Sequence, residues 1–474
     1  MFRKKWFYIV LALIIGCFVL PEFVADAGEL SAGGEDHHSS EPALWSVMPF
    51  IVLLVMIATG PLFYAHFWHK NYPLIAVFLG VLVIGYYVIG LGDIHHPVHS
   101  MAEYLSFISL LTALFVASGG ILIKVDKKGT PLVNIALLVF GAVIANLIGT
   151  TGASMLLIRP FIRLNQKRIK PYHIVFFIFI VSNVGGCLTP IGDPPLFLGF
   201  LKGINFFWTV KHLWVQWFFG VGLLCLIFYW YDIKNGQDES EDTYSGNIEV
   251  KGLKNLIWLG IVIVAVFVDP NVFPDIVPGI EYDGANLSYI REIIMFSVAY
   301  LSYRFSNEDC LKSNEFDFEP IKEVAFLFIG IFGTMMPALQ LVAGFASQNQ
   351  DLVNVNFLYW STGALSGVLD NAPTYLNFLA AAIGKYSLDI GSQQDVAAFS
   401  MKYVLDLKAI SVAAVFFGAM TYIGNAPNFM VKSIAEQVGI QMPSFIGYVV
   451  RYAIPILLPV LALTWLIFFS GWVF

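Results

Sequence analysis

Long apolar runs alternate along the chain with short polar segments, and about 20 apolar residues are what an α-helix needs to cross the hydrocarbon of a bilayer. Such runs occupy residues 44–65, 73–92, 102–124, 171–200, 212–232, 253–269, 287–305, 321–340, 397–432 and 446–473. Two more, 131–160 and 355–384, are interrupted near their middles. The first interruption reads Asn146-Leu147-Ile148-Gly149-Thr150-Thr151-Gly152-Ala153-Ser154, the second Ser366-Gly367-Val368-Leu369-Asp370-Asn371-Ala372-Pro373-Thr374. Two of the long runs are themselves broken by nearly the same phrase, Thr189-Pro190-Ile191-Gly192-Asp193-Pro194-Pro195 and Thr421-Tyr422-Ile423-Gly424-Asn425-Ala426-Pro427-Asn428. Gly, Pro and a carboxylate or amide stop an ordinary membrane helix. The pattern predicts an all-α polytopic membrane protein, broken at matching places in its two halves, where a substrate or ion site is expected.

Composition agrees with a lipid environment: 58% of residues are hydrophobic, 12% are charged and 42 are Phe. Mean hydropathy is +0.74, far above that of a soluble domain. The sparse basic residues form no nucleic-acid face. Cys17, Cys187, Cys225 and Cys310 have neither metal-like nor disulfide-like spacing and read as free thiols. The start, Met1-Phe2-Arg3-Lys4-Lys5 followed by an apolar run and Ala25-Asp26-Ala27, makes residues 1–27 a cleavable secretory signal or an uncleaved first span.

Basic residues favour the cytoplasmic side, so their placement orients the spans. Arg3, Lys4 and Lys5 put the N-terminus inside; alternation then places His66 to Lys70 inside, 93–101 outside, and Lys124, Lys127 and Lys128 inside. The far end of 131–160 carries Arg159, Arg163, Lys167, Arg168 and Lys170 and also belongs inside. That piece therefore enters and leaves on one face, as a re-entrant hairpin with its tip at Gly149-Thr150-Thr151-Gly152. The flanks of 355–384 hold Lys385 as their one basic residue and belong outside, so the second hairpin opens to the other face. The result is an inverted-topology repeat, 44–232 and 253–473, each half with one re-entrant hairpin and one broken helix. A cytoplasmic connector at 233–252 joins the halves.

Broken helices leave free backbone carbonyl and N–H groups, tolerated at membrane depth only where protein or water satisfies them. Free carbonyls joined by Thr or Asn oxygens and a carboxylate suit a hard cation such as sodium. An ionisable group there is functional by default, because placing it costs roughly 3 kcal/mol on the mildest scale. Asp193 and Asp370 are therefore expected to share an ion site with Asn183, Thr150, Thr151, Thr189, Asn371, Thr421 and Asn425. Competition of sodium and protons for two such carboxylates is the minimal chemistry of an antiporter.

Ser182-Asn183-Val184-Gly185-Gly186 leading into Thr189-Pro190-Ile191-Gly192-Asp193 resembles the N-A-G-G-x-x-[ST]-P-I-G-D stretch of NhaD-type sodium/proton antiporters, and Asp370-Asn371-Ala372-Pro373 resembles their D-N-x-P hairpin. These belong to the ion transporter superfamily, with arsenite permeases, citrate carriers and dicarboxylate/sodium symporters. The likeness covers most of the chain from about residue 44 onward. Thr421 to Asn428, followed by Phe429-Met430-Val431-Lys432, is also similar to a branch labelled as citrate carriers. The resemblance implies scaffold and transport modules, a homodimer, alternating access, and the inner (plasma) membrane of a bacterium. It also implies sodium or lithium ions and protons as transported or coupling ions, with no further cofactor. Neither hairpin tip carries the S-N-T triplet of dicarboxylate symporters. Sodium(or lithium)/proton antiport is the first reading, a sodium- or proton-coupled carboxylate symporter the second, an arsenite efflux carrier the third.

Other groups have quieter readings. His95, His96 and His99 beside Asp93, with Asp36-His37-His38 on the same side, could sense pH or hold a metal, or be solvated loop residues. Asp406 between Lys402 and Lys408 reads as a salt-bridged helix face, and Glu323 beside Lys322 as interfacial snorkelling. No G-x-x-x-x-G-K-[ST] loop is present for ATP-driven pumping, and neither H-E-x-x-H nor G-x-S-x-G for hydrolysis, so no enzyme is expected.

Overall fold

The computed structural model describes residues 42–472, apart from 126, 236–246, 271, 274 and 283–284. Residues 1–27, His37 and His38, and the middle of the expected connector lie outside the described residues. The protein is an all-α polytopic membrane protein. Among the described residues its strands are two short antiparallel ribbons, Leu122–Val125 with Ile248–Lys251 and Ile280–Tyr282 with Ala285–Leu287. Among the described residues, eight helices are long and apolar enough to cross a membrane, or nine if a pair bent by 98° counts as one. One of the eight, Pro131–Leu164, is interrupted at Gly149 and is a hairpin.

The described residues fold as two compact units, each assembled from several stretches: those within 42–120, 254–307 and 317–342 in one, those within 121–253, 308–316 and 343–472 in the other. The first unit holds the helices Met48–Phe63, Ala65–Gly85, His95–Gly119, Lys254–Val266 and Ile290–Phe305, and most of Glu319–Gln348. Its core includes Phe107 stacked on Phe328 with ring centroids 4.5 Å apart. A methyl group on Gly330 would stand 2.7 Å from the carbonyl oxygen of Ala76, so the two helices meet where side chains are smallest. Two polar stretches expected in loops are helical here. His66 to Lys70 lie in the first turns of Ala65–Gly85, and His95, His96 and His99 in the first turns of His95–Gly119, where Asp93 accepts the backbone N–H of His95 and His96.

The second unit contains both interrupted runs and both broken helices. Within Pro131–Leu164, Gly149 has φ 79° and ψ 154°, a backbone conformation that glycine tolerates and residues with a Cβ do not. The chain reverses there. Asn134 and Asn165 exchange hydrogen bonds of 2.9 and 2.7 Å, which ends of a straight helix could never do. The second hairpin has arms Val355–Ser366 and Asn371–Gly384, with Phe357 and Phe378 rings 6.2 Å apart. The run 171–200 resolves into helix Pro171–Ile180, a 3-10 turn Val184–Leu188 and helix Pro194–Leu201. The run 397–432 begins later than its hydropathy suggests. A polar helix, Gln393–Lys402, capped by Ser392, turns away by 98° at Tyr403. The span proper is Val404–Phe417, a 3-10 turn Gly418–Met420 and helix Ala426–Gln437.

Candidate functional site

The two broken helices fold alike. In each, a 3-10 turn ends on an extended Thr, and the Thr hydroxyl accepts the N–H of the glycine three residues on, at 3.0 Å for Thr189–Gly192 and 3.1 Å for Thr421–Gly424. The next residue, Asp193 or Asn425, is the N-cap of the following helix, with nearly equal φ/ψ of −141°/140° and −151°/142°. Proline in the first turn of each helix forgoes an N–H that would lack a helical partner anyway. Glycine pairs close the loops: a methyl on Gly192 would collide with the Gly186 carbonyl, and one on Gly424 with the Gly418 carbonyl. Neither cap residue uses its side chain on its own helix. Both carboxylate and amide are free to point elsewhere.

They point at each other. Asp193 is completely buried, and its Oδ1 accepts from Thr150 Oγ1 and Asn425 Nδ2, each at 2.9 Å. Its Oδ2 accepts from Asn371 Nδ2 at 2.7 Å. Thr150 comes from the tip of the first hairpin, Asn371 from the tip of the second, and Asn425 from the second broken helix. Four interrupted elements thus converge on one carboxylate, and all three donors are neutral. The Thr150 N–H also bonds the Gly192 carbonyl at 2.8 Å, which closes the hairpin tip onto the break.

Asn183 is also fully buried and reaches across to the second broken helix, its Nδ2 donating to Asn428 Oδ1 at 2.7 Å and to the Ile178 carbonyl at 2.8 Å. The Oδ1 atoms of Asn183 and Asn371 are buried without a hydrogen-bond partner among the described residues. A buried polar oxygen left unsatisfied is costly. Unsatisfied oxygens near a buried carboxylate have the donor chemistry that a hard cation requires.

Not every expected site residue joins this group. Asp370 is half-buried at the second tip, where its carboxylate accepts the Ala372 N–H at 3.0 Å and caps the helix arm; it lies within electrostatic reach of Asp193 without bonding to it. Thr189 and Thr421 spend their hydroxyls on their own loops, Thr189 also donating to the Asn146 carbonyl. Thr151 is half-buried beside Thr150 and does not bond Asp193. Sequence reasoning passed over Asn146, whose side chain bonds the Gly185 carbonyl and the Leu188 N–H, and Ser182, whose carbonyl accepts from Asn425. It also passed over Asn428. All three stood in the broken stretches, and their polarity in apolar runs was the available signal.

His95, His96 and His99 belong to the first unit. His96 Nδ1 stands 2.6 Å from Asp93 Oδ2 and its Nε2 is 2.6 Å from Gln340 Nε2. Among the described residues no three His, Cys, Asp or Glu side chains gather as a metal ion would require, so the metal reading of these histidines finds no geometry. Asp406 pairs with Lys385 at 3.6 Å and accepts from Tyr386 at 2.8 Å rather than bridging to Lys402 or Lys408. Cys187, Cys225 and Cys310 are buried free thiols.

A family model described as "Putative citrate transport" matches residues 39–469 of the chain. No curated protein matches it.

Proposed function

Because the chain belongs to the family described as "Putative citrate transport", it is a secondary transporter of the ion transporter and citrate carrier superfamily, and we propose that it exchanges sodium or lithium ions for protons. The observation that carries this reading is the bonding of Asp193. Three neutral donors hold an ionised carboxylate in place but leave its charge uncompensated in a fully buried position. Such a carboxylate is stable when it holds either a cation or a proton, and one occupant excludes the other. That exclusivity is the coupling rule of an antiporter. Asp370, close by at the second hairpin tip, adds a second negative charge to the same region and favours cations over anions. Alternating access then needs the hairpins and broken helices to be reached from each side in turn, as the inverted arrangement read from the loop charges allows. The setting fits the inner membrane of a bacterium, with the protein working as a homodimer.

Sodium-coupled carboxylate uptake is the second reading, and what favours it is the description of the matched family. The cation site would then carry the driving ion, and a carboxylate substrate would bind next to it once the bound ion had neutralised Asp193.

Everted vesicles decide between them. Antiport predicts sodium- or lithium-dependent proton movement with no organic acid added, abolished in Asp193→Asn. Sodium-driven citrate or succinate uptake without cation-dependent proton exchange would overturn it in favour of symport.

A further inference from the structure

The two broken helices match residue for residue, Gly186 with Gly418, Thr189 with Thr421, Gly192 with Gly424 and Asp193 with Asn425, so Asn183 falls on Val415 and Asn428 on Leu196. Asn183 and Asn428 therefore stand outside the repeat, and they bond to each other across it. The polarity of their contacts is fixed. Asn428 Nδ2 donates to the carbonyls of Gly418 at 2.8 Å and Thr421 at 2.9 Å, both freed by the second break. A reversed amide would set its oxygen against two carbonyl oxygens, so Asn428 must present Oδ1 to Asn183. Asn183 spends both amide hydrogens, one on Asn428 and one on the Ile178 carbonyl, and its own oxygen must face the other way. That direction leads to Gly418. A methyl group there would stand 3.0 Å from Asn183 Oδ1, 3.3 Å from the Gly424 carbonyl oxygen and 3.4 Å from Asn371 Nδ2. The missing side chain of Gly418 leaves a space faced by two oxygens and by the Asn371 amide nitrogen that holds Asp193.

We propose that Asn428 is the positioning residue of the ion site: it aims Asn183 Oδ1 into the space over Gly418, where a dehydrated monovalent cation is held by that oxygen and the Gly424 carbonyl, with the buried Asp193 carboxylate beyond Asn371 supplying the charge. The Gly418 and Thr421 carbonyls, turned onto Asn428, are not ligands. Selectivity follows from a fixed oxygen, because a rigid donor set discriminates by ion size where a rotating amide does not. This rests on the cation reading of the site, shared by antiport and sodium-coupled symport.

The test is sodium and lithium binding to the purified full-length protein, by calorimetry and ion-dependent thermal shift with choline as the control. Wild type should show saturable sodium binding. Asn428→Ala should weaken it roughly tenfold or more, the usual effect of losing an outer-shell partner of a ligand, and should flatten the sodium-to-lithium ratio. An Asn183→Ala background has no oxygen for Asn428 to aim, so adding Asn428→Ala to it should weaken sodium binding no further, within about twofold. A purely structural Asn428 would lower the yield of folded protein but leave affinity and ion ratio unchanged, and that result overturns the proposal. So does an equal loss when Asn428→Ala is made in the Asn183→Ala background. Should Asn428→Ala not be recovered folded, Gly418→Ala reads the same space: weaker sodium binding is expected, and wild-type affinity overturns the proposal. If wild type itself shows no sodium effect, the cation reading fails and this inference with it.

Discussion

Two buried carboxylates in the second unit, Asp193 and Asp232, are both fully enclosed and both surrounded by donors, yet they are satisfied in opposite ways. Asp232, in the last turn of Trp208–Lys234, receives a two-pronged bond from Arg168 at 2.8 and 3.0 Å, the Tyr172 hydroxyl at 2.6 Å and Asn134 at 2.9 Å, with His173 Nε2 at 3.0 Å. Those partners come from both ends of the first hairpin and from the start of the first broken helix. A guanidinium neutralises the charge, and planar bidentate pairing fixes the geometry. Asp193 has three neutral donors and the same degree of burial. The difference separates a closed ion pair, which staples elements together, from a carboxylate with no charged partner among the described residues, the one proposed above to take a cation or a proton.

The sharpest way to break this contrast is to neutralise each acid and read transport and stability separately. Asp193→Asn should reduce cation-dependent proton flux in vesicles to background while stability changes by only about 1 kcal/mol, since the amide keeps the shape and sheds a buried charge. Loss of fold rather than of transport would place Asp193 with Asp232. Asp232→Ala strands Arg168 in the interior and should cost about 3–5 kcal/mol of stability, read as a lower unfolding temperature in detergent, with sodium affinity per folded molecule kept. A smaller effect is expected from the loop hydroxyls. Thr189→Val and Thr421→Val each remove a turn-closing bond and should each cost about 0.5–1.5 kcal/mol, by similar amounts if the two breaks are equivalent scaffolding; a marked inequality would undo that equivalence.

Asp93, in the first unit and between spans, offers the mildest test. Burial pushes its carboxyl up, but the hydrogen bond and charge of His96, with the N–H groups of His96 and His95, outweigh it and hold the group below its ordinary value. A depressed carboxylate contributes stability above its unfolded pKa of about 3.9, and that contribution is lost as pH falls through the lower folded value. The gap in unfolding temperature between wild type and Asp93→Asn should therefore be present near neutral pH and close in strong acid. A gap independent of pH would mean that the charge of Asp93 contributes nothing.

Much of the fold was legible from hydropathy alone, because lipid requires about 20 apolar residues per crossing and tolerates breaks only where they are satisfied internally. Both hairpins and both breaks follow from that rule, and the repeated phrase located Asp193 and Asn425. Element starts were less legible. His66 to Lys70, His95 to His99 and Gln393 to Lys402 are polar by composition but helical in the fold, since helices extend past the hydrocarbon wherever capping and packing support them. Asp232 passed as the polar end of a span, because nothing local shows that Arg168, Tyr172, His173 and Asn134 close on it.

The sequence by itself determined where helices cannot continue and which residues stand at those interruptions, since backbone hydrogen bonding in lipid is a local constraint that Gly, Pro and polar side chains reveal in one dimension. Only the tertiary structure decided which acid lacks a counter-charge and which amide oxygens remain unpartnered among the described residues, and that Asn428 reaches Asn183. Those depend on donors brought together from distant parts of the chain, and no local pattern records which partners a buried side chain will find.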